Sequence, residues 1–462
     1  MKNILLIDSD LQLTSQFLSL KDIKIKLLVT FYKEKAKAYL DQIDEIYHQD
    51  LTKEKIFNTL EIKYNLSYEE IETYRSTQLK VESYYHRFFA DKGYIQNIYY
   101  KALSFWLDYF KNNKINLIFS NLIEHGGEWD SIIFDIAKKN NIPVYILSLS
   151  CNFKNHQIYQ ILYLNNNTFL KIESNCTEDT EIKLKKIFSH QPPLTDKGQK
   201  NNYFYKTKIR PLPRLLQRIL FGIYAEFKII KTKEPTYTNK VDIFKNSSYV
   251  KNLKKVYNKL SSKANYKDNY IYYPLHLEPE ASIMNRTTLS SQLFIIELIS
   301  TLLPKGWKLY VKEHPHQFSI YRESLSFLNN ISYFRGLRFY EHISNISNVI
   351  MIDIEENSTK LIQHSKAIAA ISSTSLIEAV YNNKPILNFG VNTSFVELLK
   401  DCFNIRSKND LQQAIAEIYN NFSPSYKDLK FILNNYIFIQ QNNYKNIEGI
   451  IHSVLEYKPN HS

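Results

Sequence analysis

The sequence predicts an α/β protein of two doubly wound domains facing a central cleft, with a helical linker between them and a helical C-terminus. Three observations predict it. The chain has 462 residues, too many for one hydrophobic core and suited to about two. Short β-rich runs alternate with helical periodicity in each half, the pattern of parallel sheets with crossover helices. That alternation stops over residues 200–265 and then restarts.

In the first half, "NILLI" (3–7), "INLIFS" (115–120) and "PVYILSL" (143–149) read as buried strands. The stretch 33–49 and the long tract from Leu79 to Lys111 read as helices. "EWDSIIFDIAKKNN" places Trp129, Ile132, Ile133 and Ile136 on one helical stripe. Residues 206–259 carry fourteen Lys and Arg against three acids, and "RPLPRLLQRILFGIYAEFKIIK" adds an apolar stripe. That segment reads either as an interdomain connector helix or as a basic amphipathic patch for an anionic membrane surface.

From residue 268 the order is strand 270–275, helix 288–303, strand 307–311, helices near 318–329 and 338–346, and strand 348–352. Helix 358–365, strand 367–372, helix 375–382 and strand 385–389 follow, and the last fifty or so residues read as helical. The expected division is 1–200, a linker over 201–265, a second domain over 266–425, and a C-terminal helix over 426–462 packing back on the first domain.

Composition narrows the class. Three cysteines without CxxC spacing fit a reducing cytosol and neither a disulfide framework nor a zinc site. Neither a signal peptide nor a membrane span is expected, since "LFIIELISTLL" is broken by Glu297. Nine glycines is a small number, and two of them are adjacent, Gly126 and Gly127. The net charge of +13 is concentrated in one segment, and no RRM, KH or zinc-finger pattern supports a nucleic-acid partner.

Ligands of open parallel sheets bind beyond the strands' carboxyl ends. There the second half places "HLEPEAS" (276–282), "KEHP" (312–315), "SSTS" (372–375) and "NFGVN" (388–392). Ser375 and Glu378 have capping-box spacing, which predicts a helix start at Ser375. Ser372, Ser373 and Thr374 add hydroxyls where a helix dipole favours an anion, and Glu378 suits ribose hydroxyls. A plain N-cap explains the same spacing. Lys312 and His314, stiffened by Pro315, read either as a solvated strand end or as phosphate ligands, with His314 a proton donor to a leaving phosphate.

His276, Glu278 and Glu280 read as a surface loop or as contacts to sugar hydroxyls and a developing cation. In the first half Glu124 and His125 precede Gly126–Gly127 and a helix. An acid there suits activation of an acceptor hydroxyl, with helix capping the alternative for Glu128 and Asp130. "DSD" (8–10) and "DIEE" (353–356) read as turn acids and not as metal sites, so no metal and no cofactor are expected.

"YYPLHLEPEAS", "VKEHP", "ISSTSLIEAVYNNKPILNFG" and "FSNLIEHGGEWDSIIFDIAKKNNIPV" resemble, in order and spacing, bacterial capsular-polysaccharide biosynthesis glycosyltransferases, the capsule Kdo transferases among them. The His-Pro and Ser-Ser/Thr pairs are also similar to motifs of bacterial sialyl- and polysialyltransferases. The resemblance covers about 115–150 and 270–390. It implies a GT-B fold of two Rossmann-like domains and a CMP-linked sugar donor as substrate. It places His314 and residues 372–375 at the CMP phosphate. The catalytic set it suggests is His314, Glu124 and Glu280; the binding set is His276, Glu278, Lys312, Pro315, Ser372, Ser373, Thr374, Ser375, Glu378 and His125. Glu278 departs from the usual Gln before Pro-Glu.

The expected activity is transfer of a sugar such as Kdo or sialic acid to a growing polysaccharide or lipid-linked glycan. Capsule-assembly proteins are expected partners. The expected location is the cytoplasm, peripheral on the inner membrane face through 206–235. The alternatives are a CDP-glycerol or CDP-ribitol phosphotransferase of the teichoic-acid type and a non-catalytic member of a capsule-assembly complex.

Overall fold

The computed structural model describes residues 1–51, 66–87, 89, 91–121, 125–153, 156–172, 181–182, 184–185, 240–279, 283, 289–318, 331–441 and 448–457. The basic segment 206–235, the expected helix beyond 318, Glu124 and Glu280 lie outside these residues.

The first sheet is built from β1 (Lys2–Ile7), β2 (Ile23–Thr30), β3 (Glu45–His48), β4 (Leu117–Ser120) and β5 (Val144–Phe153), parallel in the order β3-β2-β1-β4-β5. Antiparallel β6 (His156–Tyr163) extends it beyond β5, and β7 (Thr168–Phe169) pairs with β6. The second sheet is parallel throughout, in the order β10-β9-β8-β11-β12-β13. Its strands are β8 (Tyr270–Pro274), β9 (Lys308–Lys312), β10 (Val349–Ile352), β11 (Ala367–Ala370), β12 (Ile386–Asn388) and β13 (Cys402–Asn404). Chain order reverses direction between β1 and β4 in one sheet and between β8 and β11 in the other. At such a switch point the flanking loops part and leave a crevice at the strands' carboxyl ends.

Helices cover the sheets: α1 (Thr14–Leu18), α2 (Arg75–Tyr85), α3 (Lys92–Asn112) and α4 (Ser131–Lys139) in the first half, then α5 (Lys240–Leu260), α6 (Gln292–Leu302) and α7 (Leu337–Ser344). After these come α8 (Ser358–His364), α9 (Thr374–Tyr381) and α10 (Lys408–Tyr419). The strands of the second sheet are apolar on both faces, as burial between helix layers requires. Two of its buried tyrosines stack: Tyr270 donates its hydroxyl to Leu361 O at 2.7 Å and lies on Tyr310, centroids 4.1 Å apart, and Tyr310 OH bonds Asp268 and Asn265 O.

The C-terminal stretch, expected to be helical, contains a strand. After α11 (Leu429–Tyr436), β14 (Phe438–Gln441) pairs antiparallel with β6 of the first sheet, and α12 (Glu448–Glu456) brings Ile450, Ile451 and Val454 into that sheet's core. Ile158 and Ile439 share an apolar cluster with Ile368 and Leu376 of the second half, so this crossing ties the halves together.

Other expectations need correction. Stretch 33–49 is not one helix: a short turn of helix over Lys33–Ala36 gives way to β3, whose Ile46 and Tyr47 pair with Leu28 and Val29. Sheet pairing overrides local helical preference there. The tract 79–111 is two helices, the second capped by Asp91, whose carboxylate accepts from Tyr94 N–H at 3.0 Å. Strands β2, β6 and β13 were not expected either. Among the described residues no helix is long and apolar enough to cross a membrane.

Candidate functional site

The chemistry expected beyond β8, β9 and β11 converges at the switch point of the second sheet. His276 leaves β8 and is 4% exposed. Its backbone is pinned by Gln292: His276 N–H donates to Oε1 at 2.7 Å, and Gln292 Nε2 returns a bond to His276 O at 3.3 Å. Its Nε2 accepts from Ile371 N–H at 3.2 Å and Ser372 N–H at 3.3 Å. A ring nitrogen that accepts two amides carries no proton, so His276 is neutral with its proton on Nδ1. Burial and the Arg335 charge push its pKa down to about 3. The expected surface loop is therefore a buried brace between the β8 and β11 loops.

Beyond β11 the helix starts earlier than the capping-box spacing predicts. Ser373 is the N-cap of α9; its Oγ accepts from Ser375 N–H at 3.2 Å and shares a hydrogen bond with Ser375 Oγ at 2.6 Å. Glu378 is therefore in the helix interior, and no Ser375–Glu378 box forms. Instead Glu378 is 7% exposed and its carboxyl meets the Thr359 hydroxyl, while among the described residues its Oε2 has no hydrogen-bond partner. Desolvation pushes its pKa up to about 7. Ser372 and exposed Thr374 flank the cap: Ser372 Oγ and the Thr374 amide make no hydrogen bond among the described residues. Both remain available to a ligand at the helix N-terminus.

Beyond β9, Lys312 does not reach the mouth of the crevice. It is buried, and its Nζ donates to Glu356 O at 2.5 Å and Ser358 Oγ at 2.9 Å, stapling β9 to the loop before α8. Burial lowers its pKa to about 8. Half-buried His314 follows, its Nδ1 accepting from His316 N–H at 3.1 Å, so the proton of the neutral ring is on Nε2. Burial and neighbouring positive groups, His316 first, push its pKa down to about 3. The expected proton donor to a leaving phosphate is therefore a neutral imidazole. Pro315 lies in the turn closed by Gln317 N–H to His314 O at 2.9 Å.

Residues outside the expected set hold these loops. Gln317 and Glu278 exchange bonds of 2.9 and 2.8 Å. Tyr257 OH accepts from Glu313 N–H at 2.9 Å and donates to Ile352 O. Arg335, fully buried, reaches Glu278, Glu313 and His276 O. A Cβ on Gly390 would come within 2.0 Å of Ile371 O, so only glycine lets the β12 loop press on the turn before Ser372. Gln292, Gln317 and Tyr257 carry no spacing signal in the sequence, and Glu313 lies inside the "KEHP" stretch without a role being assigned to it. Arg335 carries a faint one, a charge set between Phe334 and Gly336.

At the first sheet's switch point the acids of "DSD" are consumed internally. Asp8 Oδ2 accepts from Leu13 N–H, Thr14 N–H and Thr14 Oγ1 at 2.7–2.8 Å, and Asn121 Nδ2 donates to Asp8 and Asp10. Gly126 has φ +88°, a left-handed turn that favours glycine. Asp130 accepts from Ser131 N–H at 2.5 Å and from the His125 amide, fixing His125 beside Trp129. Glu128 is not a first-turn cap: it is buried, accepts from Leu51 N–H and Tyr85 OH, and desolvation pushes its pKa up to about 8. Ser150 Oγ and Ser394 Oγ meet at 3.4 Å, and His86 stacks on Tyr333 at 4.9 Å, joining the two halves. Among the described residues no group of three or more His, Cys, Asp or Glu is arranged to hold a metal ion.

Residues 173–396 match the family described as capsule polysaccharide biosynthesis protein. No curated protein matches the chain. Among solved structures, a Thermosulfurimonas dismutans KpsC, beta Kdo 2,7 transferase, is 10% identical over 94% of this chain and 99% of its own, with a TM-score of 0.29. The beta Kdo 2,4 transferase of the same organism's KpsC is 12% identical over 67% and 85%, with a TM-score of 0.27. The UDP-GlcNAc 2-epimerase of Neisseria meningitidis bound to UDP-GlcNAc is 14% identical over 99% and 100%, with a TM-score of 0.25.

Proposed function

We propose that this chain, whose residues 173–396 match the capsule polysaccharide biosynthesis protein family, is a glycosyltransferase that moves a sugar from a CMP-linked donor to a surface glycan or glycolipid. One observation carries the reading: His276 Nε2 holds the Ile371 and Ser372 amides, so the hydroxyl-rich start of α9 is fixed beside the β8 and β9 loops at a switch point. The free Thr374 amide, the Ser372 hydroxyl and the α9 dipole suit a phosphate there without a metal. His314 Nε2–H is a further donor for the phosphate that leaves with the nucleoside. Glu378, with its unpartnered oxygen, suits the ribose hydroxyls.

In this reading Glu278 and Glu280 meet the transferred sugar, and Glu124 with His125 serves the acceptor across the cleft. The segment 206–235 holds the enzyme to the anionic inner membrane face, where lipid-linked acceptors and capsule-assembly partners reside.

Thermal unfolding with CMP, CDP and UDP tests the donor. A ligand at 100 times its Kd adds about 2.7 kcal/mol of stability. CMP is expected to stabilise the protein most. Stabilisation by CDP-glycerol or CDP-ribitol above CMP would favour the phosphotransferase alternative, and stabilisation by UDP alone would overturn the CMP reading.

A further inference from the structure

Arg335 is 0% exposed, yet no motif read from the sequence contains it. Its guanidinium touches every loop of the site that the described residues include on the β8 and β9 side. Nη2 donates to His276 O at 3.0 Å, Nη1 lies 3.1 Å from Glu278 Oε2, and Nε lies 3.4 Å from Glu313 Oε2. The plane rests on the Phe339 ring, 4.1 Å from its centroid, and Tyr249 OH donates to Arg335 O at 3.1 Å. Each contact leads on to the site. Glu313 Oε1 accepts from His314 N–H at 2.7 Å, while its other oxygen accepts from Tyr340 OH. His276 carries the connection across the switch point to the Ile371 and Ser372 amides.

We infer that Arg335 is the positioning residue of this site: one buried guanidinium sets the mutual register of the Glu278 loop, the His314 loop and, through His276, the turn before α9. A planar fork that donates from Nη2 to a carbonyl while Nη1 and Nε each face a carboxylate holds three groups in one plane, and the point charge of an ammonium does not. A buried cation facing two carboxylates and a carbonyl is also a costly way to gain stability alone. The inference builds on the proposed function for what the site binds, but its geometry does not depend on the nucleotide.

Arg335→Lys keeps the charge and loses the fork. Hydrogen exchange read by mass spectrometry on the full chain separates positioning from general stability. In Arg335→Lys, peptides spanning 275–279, 311–316 and 369–375 are expected to exchange at least tenfold faster, while peptides spanning 349–352 and 386–388 keep wild-type rates. Glu278→Ala, which removes one partner and leaves the guanidinium, is expected to loosen the 275–279 peptide alone. On the same samples, CMP binding to Arg335→Lys is expected to weaken about tenfold. Unchanged exchange in all three peptides would overturn the inference, as would equal acceleration in all peptides with a lowered melting point, which marks a stability residue. Failure of the wild-type protein to bind CMP would count against the donor reading only, because the exchange pattern judges Arg335 independently.

Discussion

The imidazole of His314 spends its Nδ1 on the His316 amide, which leaves Nε2–H as its outward group. With its pKa pushed down to about 3, the free enzyme presents a neutral hydrogen-bond donor at neutral pH, and not an imidazolium. A hydrogen bond to a charged group contributes about 1.5–3 kcal/mol. His314→Ala is therefore expected to lower kcat/KM by about 10- to 150-fold. A general acid would cost about 10²- to 10⁴-fold. His316→Ala should be mild, because it is the backbone of residue 316 that holds the ring. The kcat/KM profile, which reports the free enzyme, should show no limb from His314 between pH 5 and 8. A limb near pH 6.5 that disappears in His314→Gln would restore the proton-donor role. The sequence showed that this histidine ends a buried strand, but its tautomer depends on a backbone amide two residues on, which no spacing announces. Arg335 was barely legible for a similar reason: the carboxylates and carbonyl that its guanidinium nitrogens face are 22 to 59 positions away in the chain.

At the scale of elements, the start of α9 separates two serines by task. Ser373 is occupied as the cap, so Ser373→Ala should cost about 0.5–2 kcal/mol in unfolding free energy. Ser372 Oγ supports no helix bond, so Ser372→Ala should keep the melting point and weaken nucleotide binding. The opposite allocation, measured by melting and CMP titration, would move the phosphate elsewhere. The same helix end suits a phosphate without a cation, so activity is expected to survive EDTA. Inhibition by EDTA that magnesium or manganese reverses would overturn the metal-free reading. The basic segment 206–235 should bind anionic vesicles in a salt-sensitive way, at about 1 kcal/mol per basic residue near the surface. Equal binding to neutral vesicles would remove the electrostatic claim. Elements with strong two- or 3.6-residue patterns were legible: β1, β4, every strand of the second sheet but β13, and the α4 stripe. Illegible were β2, whose lysines break the apolar run, β3, which follows a helix-forming stretch, and β14, which takes its partner from almost three hundred positions away. Periodicity reads local burial, while these strands exist through pairing.

On the scale of the whole molecule, several buried groups titrate far from their usual range, and together they shape stability against pH. Asp8, Glu128 and Glu378 have pKa values pushed up to about 6, 8 and 7, so the folded state holds protons that the unfolded chain has lost above about pH 4.3. Their contribution is full below the unfolded pKa and is lost as pH rises to the folded one. His276 and His314 act in the opposite sense. Both are neutral when folded and protonated when unfolded below about pH 6.5, so their contribution is present above that pH and lost as it falls towards 3. The two sets oppose each other below pH 6.5. Between pH 6.5 and 8 the histidines are silent, Asp8 is ionised in both states, Glu378 and the lowered Lys312 titrate with opposite signs and largely offset each other, and Glu128 dominates. A single group contributes about 1.4 kcal/mol per pH unit, so unfolding free energy should fall by about 2 kcal/mol across that window. Glu128→Gln keeps the shape of the side chain, and with it the Leu51 N–H and Tyr85 OH contacts, but has no proton to lose. Urea unfolding at pH 6.5, 7.25 and 8 should show a falling midpoint for the wild type and a nearly flat one for the variant. A variant that falls as steeply as the wild type would show that Glu128 ionises freely in the folded protein, and that the loss of stability arises elsewhere.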